Sequence, residues 1–385
     1  MLSCQREKFQ LQKKYAYLNC AYMAPVSKKV ENAGIKGIKR KRKPYRIGAD
    51  DFFHDPGTLR LLFSQVIDND EPNRVVTAPS VSYAMANVVN NLGDRKGEII
   101  LTDEQFPSNV YPWLSAASDT VKVKFVPKPD GVEKGEAWNE HILEAINENT
   151  LLVAIGHVHW ADGTLFDLKA IRKKTKAHNA LLVIDGTQSV GALPFSVKEI
   201  QPDALVCAAY KWLFGPYSMT LAYYGAAFDD GKPIEENWIN REYARNFGGL
   251  ITYKDHYEPG ALRYEVGEHS NFILAPMMIE ALKQVLHWGP ANIQEYCRAL
   301  NGPLIEAATG MGFGIEKAEA RGNHLFGLTL PEGLSLETLQ QVMHQNKVSV
   351  SVRGTSVRVA PNVYNDERDV HRFIKSLSQA IAKSK

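Results

Sequence analysis

The chain is short of the features that usually announce a chemistry. It contains four cysteines, Cys4, Cys20, Cys207 and Cys297, and no two stand in a CxxC or CxH spacing. That argues against a zinc site and a disulfide framework, and a reducing compartment is expected. No window approaches the roughly 18 uninterrupted apolar residues of a membrane span. The opening stretch MLSCQREKFQLQKKY carries charges where a secretory leader needs its apolar run, so a cytoplasmic protein with no membrane contact is the expectation. The net charge is only +2, which points neither toward nor away from nucleic acid. The basic run Lys36 to Arg46 reads as the solvated face of a helix closed by Pro44 rather than as a nucleic-acid or phosphate patch. There is no lysine-bearing glycine loop for a nucleoside triphosphate, no internal repeat and no low-complexity segment. His157 and His159 alternate on one strand end and so point to opposite faces. With no carboxylate completing a triad nearby in sequence, no metal site is expected.

What is present is an ordinary globular balance, 44% hydrophobic and 23% charged, over a length that makes one large domain or two. Residues 1 to 15 read as a polar arm. Ser27 suits the cap of a helix running toward Arg42, and a second helix is expected after Gly57. Ser80 is a good cap for Val81 to Leu92, with Gly93 past its end. Short apolar runs then alternate with amphipathic stretches, the strands falling at 98–102, 121–126, 151–155 and 181–185. Two further strands, 206–208 and 219–224, are close enough to be antiparallel neighbours, and 74–77 supplies a seventh. The rhythm predicts an α/β fold with a mostly parallel seven-stranded sheet covered on both faces. Residues 228–259 look irregular and belong near the site rather than to a linker. Past Gly289-Pro290 the pattern becomes that of a smaller α+β domain. The expected division is an arm at 1–15, a large domain at 16–275 and a small domain at 276–385.

The chemistry concentrates in Leu181 to Gly215, LLVIDGTQSVGALPFSVKEIQPDALVCAAYKWLFG. Asp185 ends a buried strand and Lys211 follows a run of apolar residues, so both charges stand at the edge of a core. An ionised group there is costly without a partner. A bland reading makes Lys211 a strand-end lysine snorkelling to water and Asp185 a turn former before Gly186. One cofactor would give both a purpose. A desolvated lysine amine can form a Schiff base with pyridoxal 5'-phosphate, and an aspartate can hold the pyridine nitrogen protonated. Gln188 could donate to the ring hydroxyl. Ser80 and the Val81 amide open a helix whose N-terminus suits a phosphate, although Ser80 could serve only as a cap. Phe106 could stack on a planar ring or simply pack in the core. Arg353 and Arg358 flank Gly354-Thr355-Ser356, and a guanidinium is the preferred bidentate partner of a carboxylate.

These residues resemble the class V aminotransferases of fold type I, a pyridoxal-phosphate group that includes cysteine desulfurases, kynureninases and isopenicillin N epimerase-like enzymes. The likeness runs from TyrLeuAsnCysAlaTyrMetAlaPro at 17–25 to ArgValAlaProAsnValTyrAsn at 358–365. Its most specific part is ValIleAspGlyThrGlnSerValGlyAla at 183–192 with TyrLysTrpLeuPheGlyPro at 210–216. The resemblance implies that Lys211 is the cofactor-bonding lysine and Asp185 the partner of the pyridine nitrogen. It implies that Gln188 contacts the ring hydroxyl and that Ser80, Val81 and Tyr210 hold the phosphate. Phe106 would stack on the ring, and Arg358 would bind a substrate α-carboxylate. Phe106-Pro107-Ser108-Asn109 is similar to a kynureninase segment, which puts Asn109 on the substrate side. The family draws one phosphate contact from a partner subunit, and His269 or Ser270 is expected to supply it because Glu268 would repel phosphate. A homodimer with shared active sites follows from the same resemblance.

The departures bear on the reaction. Between Arg353 and Arg358 stands only GlyThrSerVal, without the nucleophilic cysteine that a desulfurase needs there. Gln188 stands where kynureninases usually have histidine, Trp160 where desulfurases carry a ring-contacting asparagine, and Ala208 replaces a phosphate-binding serine. Transamination of a small-molecule amino acid or similar amine-bearing carboxylate is the first expectation, with a β-lyase or an epimerase, which share its first steps, as the alternative. A non-catalytic binding protein on the same fold is the third reading, and the intact set of Asp185, Gln188 and Lys211 argues against it.

Overall fold

The structure is a computed structural model that describes residues 2–384. The strands, in chain order, are β1 (Ala16–Tyr17), β2 (Val75–Ala78), β3 (Gly97–Thr102), β4 (Val121–Val126), β5 (Thr150–Gly156), β6 (Leu181–Asp185), β7 (Ala204–Ala208), β8 (Thr220–Tyr224), β9 (Phe326–Thr329), β10 (Val348–Ser349), β11 (Ser351–Arg353) and β12 (Ser356–Val359). The helices are α1 (Lys28–Arg40), α2 (Asp51–Val66), α3 (Val81–Asn90), α4 (Tyr111–Ser115), α5 (Gly135–Ala145), α6 (Leu168–Ala177), α7 (Val197–Ile200), α8 (Leu274–Trp288), α9 (Pro290–Gly310), α10 (Leu336–Gln345) and α11 (Glu367–Ser384).

Seven strands form one sheet in the order β2-β8-β7-β6-β5-β3-β4. Strands β3 to β7 run parallel, and β8 lies antiparallel between β7 and β2. This is the α/β fold with a mostly parallel seven-stranded sheet that the pattern predicts. Because side chains alternate, Leu182 and Ile184 enter one apolar layer while Leu181 and Val183 enter the other. Every residue of β5, β6 and β7 is buried, which is why these strands read as unbroken apolar runs. Helices α2, α5, α6 and α8 cover the first layer, and α3 covers the second.

The caps explain where the helices begin. Ser27 Oγ accepts from the Val30 amide ahead of α1, and Ser80 Oγ accepts from the Tyr83 amide ahead of α3. Helix α2 departs from expectation by starting at Asp51 rather than after Gly57. Pro56 lies inside it and removes one backbone bond, a penalty that tertiary packing overrides. Phe52 meets Phe247 and Phe272 edge-on with centroids 5.4 and 5.3 Å away, and Phe53 meets Trp238 at 6.1 Å. Helix α3 also stops at Asn90, two residues early, with Gly93 in the left-handed region.

A second sheet, β11-β12-β9, is antiparallel and packs with α9, α10 and α11. Strand β1 pairs in parallel with β10, and Ala16 and Leu18 lie in this C-terminal apolar cluster. Residues 16–18 are thus joined to the C-terminal elements, whereas α8 packs in the cluster of the large sheet. His157 and His159 do turn to different surroundings. His157 stacks on Phe195, while His159 lies against Trp138 and bonds Asp162 through Nδ1 at 2.8 Å.

Candidate active site

The carboxyl ends of the parallel strands meet at one edge of the large sheet, where ligands of open α/β sheets sit. The register places Asp185 at the end of β6, Gly156 at the end of β5, and Ala208 and Ala78 opposite Thr220. A cavity of about 320 Å³ opens there, walled by Ser80, Val81, Phe106, Trp160, Asp185, Gln188, Tyr210, Lys211, Tyr217 and Thr220 among others. Its volume is near the low end of the range of about 300–1,000 Å³ for small-molecule sites.

Asp185 is 8% exposed, and its Oδ1 accepts from the Thr187 amide at 2.9 Å. Burial raises its carboxyl above the usual range, opposed by the Thr187 bonds and the charge of Lys211. Thr187 Oγ1 in turn accepts from the Ala208 amide at 3.0 Å, fixing the turn after β6 to the end of β7.

Lys211 sits on the loop that links β7 to β8. Ala209 accepts from Gly215 at 2.8 Å and donates to Met219 at 3.0 Å, so the loop folds tightly back on itself. A Cβ at Gly215 would stand 2.3 Å from Met278 Sδ and 3.0 Å from Ala209 Cβ, so glycine lets the loop press on α8 without displacing them. The amine of Lys211 is 5.2 Å from the Phe106 ring centroid and makes no hydrogen bond or ion pair among the described residues. Burial lowers it to about 8; Asp185 opposes the shift, and Arg358 and Arg353 add to it. It is a largely desolvated amine facing a ring and a buried carboxyl.

The remaining wall has polar ends. Gln188 accepts from Trp212 Nε1 at 2.8 Å and donates to the Ala21 carbonyl at 3.2 Å, which leaves one amide hydrogen for the cavity. The Ser80 hydroxyl caps α3 and lies 3.1 Å from Ser82 Oγ, at the helix end expected to attract an anion. Tyr210 and Tyr217 stack with centroids 4.6 Å apart. The structure therefore brings Ser80, Val81, Phe106, Asp185, Gln188, Tyr210 and Lys211 into one cavity. A planar, phosphorylated ring fits this set: an aromatic face, a carboxyl at the base, a free amine, and a helix N-terminus at the far end.

Arg358 does not line the cavity but stands behind Trp160, which does. It is 1% exposed, Nη1 donates to the Trp160 carbonyl at 2.7 Å, and Nε and Nη2 are buried without a partner among the described residues. Such a guanidinium is a strong request for an anion. Burial, then Arg353, lowers it to about 9.

Three expected residues lie elsewhere. Asn109 is fully buried, its Oδ1 accepting from Trp113 Nε1 at 2.9 Å, so it ties the 3-10 turn at 107–109 to α4 rather than facing the cavity. His269 is 3% exposed, packed edge-on against Phe53 and 3.7 Å from Glu265. It is interior to its own chain and offers no surface to a partner. Ser270 is also buried and donates to the Phe52 carbonyl at 2.5 Å. Conversely, Trp160, Thr187, Tyr217, Ser218 and Thr220 wall the cavity without having been singled out as site residues. The turn Gly215-Pro216 ahead of a strand was the one signal for Tyr217 to Thr220.

Residues 57–231 match the family model described as aminotransferase class-V. Among curated proteins, the uncharacterized aminotransferase YcbU of Bacillus subtilis is 28% identical over 80% of this chain and 79% of its own length. A probable cysteine desulfurase of Borreliella burgdorferi is 28% identical over 52% of this chain and 50% of its own. Among solved structures, the apo cysteine desulfurase of Thermococcus onnurineus superimposes with a TM-score of 0.84 at 18% identity over 100% of both chains. A cystine C-S lyase, C-DES, described in complex with cysteine persulfide, gives 0.84 at 17% identity over 95% of this chain and 98% of that one. At such identities these two structures speak for the fold.

Proposed function

We propose, from the match of residues 57–231 to the class V aminotransferase model, that this chain belongs to that family and is a pyridoxal 5'-phosphate-dependent aminotransferase acting on a small amino acid. The observation that carries the reading is the meeting of Lys211 and Asp185 across one cavity beneath Phe106. Lys211 would hold the cofactor's aldehyde carbon, and Asp185 its pyridine nitrogen. Phe106 would cover the ring, Gln188 and Tyr210 would bond its periphery, and Ser80 with the Val81 amide would take the phosphate. Bound there, the cofactor supplies an electron sink for the bonds at the substrate's Cα.

The chain's own groups do the rest. The two unpartnered nitrogens of Arg358 take the α-carboxylate and fix the orientation of Cα. Lys211, with its amine lowered to about 8, exchanges protons near neutrality and serves as the base that moves the Cα proton. Asp185, held by the Thr187 amide and facing the Lys211 charge, would keep its carboxylate for the ring against the cost of burial. The hairpin between Arg353 and Arg358 carries no cysteine, and Cys20, Cys207 and Cys297 are each no more than 1% exposed with thiols raised by burial. None of the four cysteines is among the residues that wall the cavity, which supports a reading without sulfur transfer through a protein thiol.

The active assembly is proposed as a homodimer. The segment 238–253 presents Trp238, Tyr243, Phe247, Leu250, Ile251 and Tyr253 to the outside, more apolar surface than an isolated loop ordinarily leaves in water. A cytoplasmic location is part of the same proposal; among the described residues no helix is long and apolar enough to cross a membrane. The test is to load the protein with pyridoxal phosphate and add one amino acid without an acceptor. Transamination gives one keto acid per site and then stops. Continuous release of ammonia, or racemised substrate, would instead assign a lyase or an epimerase.

A further inference from the structure

Hairpin β11–β12 carries two arginines on one face. The register pairs Ser351 with Arg358 and Arg353 with Ser356. Residues directly opposite share a face, as do alternate residues of one strand, so Arg353 and Arg358 project to the same side. Val352 and Val357 project to the other, where they line a separate apolar pocket. Diagonal neighbours of this kind lie about 7–8 Å apart.

Both guanidiniums converge on Trp160. Arg358 bonds its carbonyl, and Arg353 lies 5.4 Å from the indole centroid. The indole itself is held by the Glu104 carbonyl at 2.7 Å and meets Phe106 edge-on at 5.3 Å. A continuous line thus runs from Lys211 through Phe106 and Trp160 to the two arginines. Arg353 has one hydrogen bond, from Nη1 to the Val352 carbonyl at 2.7 Å, and neither arginine forms an ion pair among the described residues. Arg6, Arg60 and Arg172 are answered by the carboxylates of Asp369, Glu265 and Asp203, although buried Arg321 bonds only the Glu316 carbonyl. Two like charges at diagonal spacing oppose each other unless an anion lies between them. One of the two is accounted for by an α-carboxylate.

Resting on the reading above, we propose that the substrate bears a second acidic group on its side chain, and that Arg353 receives it beside Trp160. The substrate class is an α-amino dicarboxylate with a chain of the length of aspartate or glutamate. Two carboxylates separated by two or three carbons can reach two guanidiniums at this spacing, each as a charge-assisted pair. Trp160 is the platform between them, its indole held by the Glu104 carbonyl.

The test uses the full chain loaded with pyridoxal phosphate, titrated separately with L-glutamate, L-glutamine, L-aspartate, L-asparagine and L-alanine while the cofactor absorbance is followed. At least one acid should bind ten times more tightly than its amide or more. Arg353→Gln should shrink that acid-to-amide ratio at least tenfold, through KM rather than kcat, and Arg353→Lys should restore part of it. An amide that binds as well as its acid would overturn the proposal. So would a ratio left intact by Arg353→Gln, including an equal loss for all five amino acids, which would make Arg353 a positioning residue for Trp160. Failure of every amino acid to perturb the absorbance of the loaded protein would overturn the amino-acid reading itself, and this proposal with it.

Discussion

Two pairs of charges sit within a few side chains of each other, and they differ in kind. Asp185 and Lys211 are opposite and each eases the burial of the other. Arg358 and Arg353 are alike, and Arg353 makes the charge of buried Arg358 harder to keep. The first pair is provided for by the chain itself. The second is unfinished without a ligand, and it has a buried guanidinium with two idle nitrogens to show for it. Burial alone marks neither pair as functional; under the proposed function, the sign of the neighbour would separate a cofactor floor from a substrate-binding wall.

The strongest way to break the comparison is to remove Lys211. Lys211→Ala should lower turnover by about 10³-fold or more, since the base and the cofactor bond go together; steady-state kinetics with saturating pyridoxal phosphate checks this. Arg358→Leu should reduce kcat/KM by about 10²-fold, the usual scale for removing one side of a buried charged contact. In the cofactor-free protein the same change should raise the urea midpoint, because an unanswered buried charge is replaced by an apolar side chain. Loss of stability instead would mean that the chain does answer Arg358.

The opposite pair makes a pH prediction. The amine of folded Lys211 lies at about 8, below its ordinary value of 10.5. The unfolded chain therefore binds more protons between those values, and the penalty is full below pH 8 and fades as pH rises toward 10.5. Cofactor-free Lys211→Met should be more stable than the parent by about 3 kcal/mol at pH 7, with the gap closing by pH 10.5 in urea unfolding. A gap that widens with pH would reverse the assignment. The smallest effect belongs to Asn109→Ala. It removes a bond to Trp113 and should lower stability by about 1 kcal/mol with kcat/KM within twofold of the parent; a large kinetic loss would return Asn109 to the cavity.

Much of this was legible because burial and charge leave marks on sequence. The unbroken apolar runs of β5, β6 and β7 declared a covered parallel sheet, and Asp185 and Lys211 stood out as charges at their ends. Helix α2 was misjudged because Pro56-Gly57 reads as a boundary, while the aromatic cluster around Phe52 that holds its first turns is assembled from residues far apart in the chain. Helix α10 went unremarked although Leu339, Val342 and Met343 form its buried side. Asn109 and His269 were placed by motif, and which way a polar side chain turns is decided by neighbours such as Trp113 and Glu265 that local sequence does not reveal. The shared face of Arg353 and Arg358 needed the hairpin register.

In the proposed function, Lys211 is the residue that would bond the cofactor. Borohydride reduction of the pyridoxal-phosphate-loaded protein, followed by peptide mass spectrometry, reads this directly. The prediction is one cofactor per chain, fixed on the peptide that contains Lys211 and on no other. A label on a different lysine, or none at all, would contradict it.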